Sequence, residues 1–243
     1  MILGLAAYKF INNDMEFNIS QIEKAIQSSE NIDMLCFGEA FLQGFDAFSW
    51  NYDNDKNIAI SKDSSTMKRL EQMSKNYHID FAFGYLEIDA EELYSSYAVI
   101  INGKLTYNYR RITIGWREYS KTDFHYKEGK DILTFNYKGH DITIALCGDL
   151  WECPEKFKNN GLLLWPVYVN FTIDEWKIEE IEYAKQAILA CSNTLMINSL
   201  SKNPACHGGC FYFQNGKIIK KLDFDIEEIL SINLWLWGKE WND

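Results

Sequence analysis

Cys147 lies in the stretch Ile-Thr-Ile-Ala-Leu-Cys-Gly-Asp-Leu-Trp-Glu-Cys-Pro-Glu, residues 142–155. An apolar, β-branched run leads up to the thiol. Small and polar residues then end the run, and Pro154 suits the start of a helix. The sulfur is thereby expected at the carboxyl end of a buried strand, where α/β folds gather their chemistry. A lone cysteine in such a place is ordinarily a small apolar filler, so its meaning depends on what else reaches it. Two further points along the chain have the same setting. Glu39 follows the apolar Met-Leu-Cys-Phe-Gly, and Arg110 and Arg111 follow Tyr-Asn-Tyr. An acid, a cation and a thiol, each at a strand end, can converge on one pocket. A thiol of ordinary pKa about 8.5 is mostly protonated at neutral pH. A carboxylate beside it can act as general base. A cation and backbone N–H groups can hold the oxyanion formed when the thiolate attacks a carbonyl or nitrile carbon.

Other chemistry fits less well. Cys206-His207-Gly-Gly-Cys210 offers zinc-type donors, but a fourth ligand at suitable spacing is lacking. A turn entering a strand accounts for that segment. A protease-like Cys–His pair would need His78, His125, His140 or His207, and none has a supporting context.

The elements that must position these groups can be read from periodicity. Residues 2–8 read as a strand. Residues 15–29 read as a helix with Phe17, Ile19, Ile22 and Ile26 near helical spacing and Asp14 as its cap. A short strand is expected at 34–37, a helix at 64–76 and a strand at 81–86. Strands at 97–101 and 105–109 flank Asn102-Gly103, a two-residue hairpin signal. Further strands are expected at 142–146, 162–165, 195–198, 210–213 and 217–222, with a long helix at 174–191. The order is βαβαβ, hairpins, βαβαβ and a final hairpin, as two helix-covered sheets would require. Residues 112–130 follow no periodic template, and an irregular segment of that length is often functional.

Composition narrows the setting. With 47% hydrophobic and 15% aromatic residues, the 243-residue chain can bury the core of one large domain. Only three prolines and no Gly/Ser-rich stretch leave no candidate linker, so residues 1–243 read as a single domain, with 223–243 as a C-terminal tail. The formal net charge of −11 opposes nonspecific binding to nucleic acid or anionic membrane. The first residues read as a strand and not as a secretion signal, and no run of about 18 apolar residues spans a membrane. The six cysteines show no small-scaffold disulfide pattern and are expected as reduced thiols, which places the protein in the cytoplasm. The acidic residues 223–228 read as a solvated turn. Three tryptophans near the end, at 235, 237 and 241, are costly to expose and are expected against the domain or a second copy.

In motif order the chain resembles the nitrilase superfamily of carbon–nitrogen hydrolases, over nearly its whole length. Gly-Glu-Ala-Phe-Leu-Gln-Gly-Phe (38–45) is similar to that family's first motif, Tyr-Arg-Arg-Ile (109–112) to its second, and Cys-Gly-Asp-Leu-Trp-Glu-Cys-Pro-Glu (147–155) to its nucleophile motif. The resemblance implies an α/β fold, a four-layer αββα sandwich of two mixed sheets flanked by helices. It also implies a Glu–Lys–Cys triad, a small-molecule amide-type substrate, no cofactor or metal, and a homodimer. Glu39 takes the place of the base, Cys147 that of the nucleophile and Glu118 that of a second glutamate. Gly148 is placed to give an oxyanion N–H, Asp149 to cap the next turn, and Trp116, Trp151 and Tyr168 to shape the pocket. Three departures stand out. The lysine position holds Arg111, the Cys-to-Pro spacing is one residue longer, and the chain is short, which implies an abbreviated C-terminal tail. Arginine keeps the charge but cannot shuttle a proton. Either Arg111 serves in an adjusted pocket, or Lys121 supplies an ammonium group, or the protein is a non-catalytic nitrilase-like module that binds a small molecule or a partner.

Overall fold

The computed structural model describes residues 1–234. The strands are β1 (Ile2–Ala7), β2 (Met34–Cys36), β3 (Asp80–Asp89), β4 (Glu92–Ile101), β5 (Lys104–Arg110), β6 (Leu133–Tyr137), β7 (His140–Ile144), β8 (Leu162–Val167), β9 (Asn193–Asn198), β10 (Leu200–Lys202), β11 (Ala205–His207), β12 (Cys210–Gln214), β13 (Lys217–Leu222) and β14 (Glu228–Asn233). The helices are α1 (Met15–Gln27), α2 (Tyr52–Asp55), α3 (Ser65–Tyr77), α4 (Asp149–Glu152) and α5 (Ile173–Ile188). Ten of these strands and three of these helices lie where periodicity puts them, with ends shifted by a few residues. The short helices α2 and α4, the strands β6 and β14, and the small β10–β11 hairpin are additions.

Two six-stranded mixed sheets run in the orders β14-β1-β2-β3-β4-β5 and β13-β12-β9-β8-β7-β6. β1, β2 and β3 are parallel, as are β7, β8 and β9, and the remaining pairs are antiparallel. Alternation along β1 shows the layering. Leu3, Leu5 and Ala7 enter the core between the sheets with Ile144, Leu164 and Ile197, whereas Ala6 faces Ile19 and Ile22 of α1 and Leu70 of α3. On the far side α5 lays Trp176, Tyr183, Ala184 and Ala187 against the second sheet. The architecture is the αββα sandwich expected from the sequence.

The helix ends follow local rules. Asp14 accepts from the Phe17 N–H, Ser64 from Met67, and Thr172 closes a capping box with Glu175. At Gly84 the chain after β2 crosses β3 so closely that a Cβ would stand 2.3 Å from the Ala40 nitrogen. That approach lets Gly84 N–H bond the Gly38 carbonyl at 3.1 Å and fixes the residue before Glu39. The acidic segment turns at Asp225, with φ of 60°, but Glu228 already belongs to β14, and Glu227 pairs with Lys9 and Lys24. The tryptophans at 235, 237 and 241 lie outside the described residues.

Candidate active site

Each candidate group leaves the end of a strand on the same edge of the sandwich. Glu39 follows β2, Arg111 follows β5 and Cys147 follows β7. Glu39 and Arg111 are 0% and 3% exposed, respectively, and Cys147 is half-buried. Arg111 NH1 donates to Glu39 Oε1 at 3.1 Å, and Ser95 Oγ donates to the same oxygen at 3.3 Å. Glu39 Oε2 meets no partner among the described residues. The Cys147 thiol is near enough to Glu39 for the two to influence each other's protonation, and it donates to the Tyr168 carbonyl at 3.9 Å.

The backbone holds Cys147 and Glu39 from one strand. Cys147 N–H donates to the Pro166 carbonyl at 2.9 Å, and Glu39 N–H to the Val167 carbonyl at 3.3 Å, both at the end of β8. Cys147 itself has φ of 41°, the left-handed region that a side chain adopts only under constraint. Its carbonyl accepts from the Trp165 indole N–H at 2.9 Å. No acceptor meets the Gly148 N–H among the described residues.

Asp149 is a buried anchor. Its Oδ2 accepts from Leu146 N–H at 2.9 Å and from Tyr109 OH at 2.6 Å. Oδ1 accepts from the N–H groups of Ile112 and Thr113 and from Thr113 Oγ1. The segment that carries Arg111 is thereby tied to the segment that carries Cys147. This is more than the turn cap expected of Asp149, because Tyr109, Ile112 and Thr113 lie 36 or more residues away in sequence.

The electrostatics follow from burial around one cation. Burial pushes the Cys147 thiol up to about 12, the Glu39 charge pushes the same way, and Arg111 pulls it down. Burial also raises Glu39, against the pull of Arg111. For Arg111, burial favours the neutral form, but the Glu39 and Cys147 charges outweigh it and hold the guanidinium protonated. The resting arrangement is a neutral thiol beside an acid and a fixed positive charge. Such an arrangement can pass the thiol proton to the carboxylate as a bond to carbon forms.

Other expected site residues take varied places. Tyr168 stacks on Phe45 with centroids 4.7 Å apart, and its hydroxyl donates to Asp46 Oδ2. Trp151 is 42% exposed and meets Tyr183 edge-on at 5.0 Å. Trp116 is buried among Phe48, Trp50 and Tyr126. The structure does not bring Glu118 or Lys121 into the cluster. Both are exposed, and the Glu118 backbone carbonyl closes a turn with the Lys121 and Thr122 N–H groups. Glu152 lies on the side of Gly115 and Gly148: its Oε1 stands 3.2 Å and 3.6 Å from where a Cβ on each would sit. Tyr183, buried on α5 and close enough to Cys147 to feel its charge, escaped sequence reading because its spacing matches a core position.

Cys206 and Cys210 are buried. The Cys206 thiol donates to the Ser199 and Val169 carbonyls, and His207 Nδ1 pairs with Asp225. Among the described residues no group of three or more His, Cys, Asp or Glu is gathered as for a metal ion, and no helix is long and apolar enough to cross a membrane.

The carbon-nitrogen hydrolase family model matches residues 4–152, a span that includes Glu39, Arg111 and Cys147. No curated protein matches the chain in sequence. Among solved structures, a CN-hydrolase superfamily protein from Xanthomonas campestris, with an arsenic adduct in its active site, superimposes with a TM-score of 0.77 at 16% identity, over 96% of this chain and 89% of that one. An amidase from Nesterenkonia sp. gives 0.76 at 15% identity, with the same coverage of 96% and 89%. A variant of that amidase shows the acetamide moiety of fluoroacetamide covalently added at the active-site cysteine. The glutamine-dependent NAD+ synthetase of Acinetobacter baumannii gives 0.74 at 16% identity over 95% of this chain, which spans only 44% of the synthetase.

Proposed function

The chain belongs to the carbon-nitrogen hydrolase family, and from that premise we propose that it hydrolyses an amide or carbamoyl bond of a small, non-peptide molecule through a thioester on Cys147. The observation that carries this reading is the buried Glu39–Arg111 pair, joined at 3.1 Å beside the half-buried thiol. Glu39 takes the thiol proton as the sulfur attacks the substrate carbon. The negative charge formed on oxygen is held by Arg111 and by the free N–H of Gly148. Arginine cannot release a proton near neutral pH, so Glu39 returns the proton to the departing ammonia or amine. The unpartnered Oε2 is the oxygen available for this work. Water, deprotonated by Glu39, then cleaves the thioester to the acid, and the thiol recovers its proton. The scheme calls on no metal or cofactor.

The pocket wall would come from Trp151, Tyr168 and Tyr183. A reduced thiol nucleophile suits a reducing compartment, and we place the protein in the cytoplasm. We also propose a homodimer. α5 exposes Ile178 at 68% and Ile181 at 52%, one helical turn apart, an apolar stripe that a second copy would cover.

Intact-mass spectrometry of the chain with a panel of small amides tests the function. The expected result is an acyl mass on Cys147 that disappears with release of the acid. A folded chain that forms no adduct and releases no acid with any member would favour a binding module instead.

A further inference from the structure

Arg111 is held by features that suit a guanidinium and would be idle around an ammonium. Its Nε donates to Thr113 Oγ1 at 2.9 Å, and that hydroxyl in turn donates to Asp149 Oδ1 at 2.9 Å. A lysine has no donor at the Nε position. The outer arm, NH2, lies against two bare α-carbons. A Cβ on Gly148 would stand 2.2 Å from NH2, and one on Gly115 3.0 Å from it. Neither glycine is demanded by its own backbone. Gly148 has φ of −62° and ψ of −13°, angles that alanine adopts at lower entropic cost, and Gly115 is not among the residues of positive φ. The charged and titratable groups around the guanidinium and the thiol are Glu39 after β2, Tyr109 on β5, Asp149 and Glu152 on α4, and Tyr183 on α5.

We propose that Thr113, Gly115 and Gly148 are positioning residues dedicated to the guanidinium of Arg111, so that this site is built for arginine and not weakened by it. Thr113 aims the planar group through Nε, and the two glycines clear the space for NH2. What the placed guanidinium then does rests on the hydrolase reading. Its placement does not, and the Cys147 thiol reports on it directly.

The test is alkylation of Cys147 by iodoacetamide in the intact chain at one fixed pH, read in double-mutant cycles with Arg111→Lys. The positive charge lowers the thiol pKa, so a displaced guanidinium slows alkylation. Thr113→Val is expected to slow it about tenfold, and Thr113→Ser to stay within about twofold of wild type. In the Arg111→Lys background, Thr113→Val is expected to change nothing. Gly115→Ala is expected to slow alkylation of the arginine protein, yet to fold and react like its parent in the lysine background. Equal losses in both backgrounds, or faster alkylation on Arg111→Lys alone, would overturn the proposal. Amide turnover measured in parallel separates the two readings. Intact coupling without turnover removes the hydrolase and leaves the arginine fit standing, whereas turnover without coupling does the reverse.

Discussion

The Trp165 indole N–H donates to the backbone carbonyl of Cys147 at 2.9 Å, so a core side chain satisfies the acceptor of the residue that bears the thiol. Cys147 sits at φ of 41°, a conformation costing on the order of 1–3 kcal/mol that its surroundings must sustain. Trp165→Phe leaves that carbonyl unpaired and opens a small void. The expected loss is roughly 2–3 kcal/mol in urea unfolding, together with slower acylation of Cys147. Unchanged stability and acylation would mean that the left-handed turn is held by other means.

Glu39→Gln should separate two reactivities of the same sulfur. Burial and then the Glu39 charge hold the thiol up to about 12, while Arg111 pulls it down. Removing the carboxylate charge leaves the arginine unopposed, so the thiol pKa falls. Simple alkylation near neutral pH should therefore accelerate, while amide turnover drops about 10³-fold for want of a base. In the wild type, burial raises Glu39 above the ordinary glutamate value of about 4.3. Turnover should accordingly fail on acidification at a pH above that value. Alkylation and turnover falling together in Glu39→Gln would contradict this account.

Glu87 gives a stability prediction far from the thiol. It is fully buried at the end of β3, where Arg110, Ser96 and Asn108 all donate to it. Burial alone would raise its pKa, but those bonds outweigh it and hold the carboxyl below its ordinary value. A lowered folded-state pKa stabilises the fold above the unfolded value of about 4.3, and the benefit disappears as the pH falls through the folded value. Glu87→Gln should cost roughly 2–3 kcal/mol at neutral pH. The gap from wild type should narrow steadily in urea titrations taken below about pH 4. A gap that stays constant on acidification would show that the charge is not what stabilises.

The same glutamate explains where sequence reading stopped. Periodicity carries β3 only to Leu86, because Glu87 and Asp89 look like solvent-facing charge, yet Arg110 two strands away and Lys62 together pair with both. β6 and β14 were hidden for a related reason. Each is an edge strand of a few residues whose polar positions, Asn136 or Ser231, dilute a short apolar alternation with Phe135 and Tyr137 or Leu230 and Ile232 inside. The positions of Glu39, Arg111 and Cys147 were legible because strand ends and motif order are local properties of the chain. Asp149 as an anchor, Glu152 beside the guanidinium and Tyr183 near the sulfur were not, since each depends on segments meeting across the two sheets. Glu118 illustrates the opposite limit, a residue with the right spacing whose turn leaves it in water.

Glu39 and Cys147 hang from consecutive carbonyls of β8, those of Val167 and Pro166. Neighbouring peptide units are a fixed step of about 3.8 Å apart. The step between the two backbone anchors is thus set by covalent geometry at the end of a central strand of the second sheet. In the proposed hydrolase the loops around the site can change shape while that step stays constant, which would separate the choice of what is cut from the act of cutting.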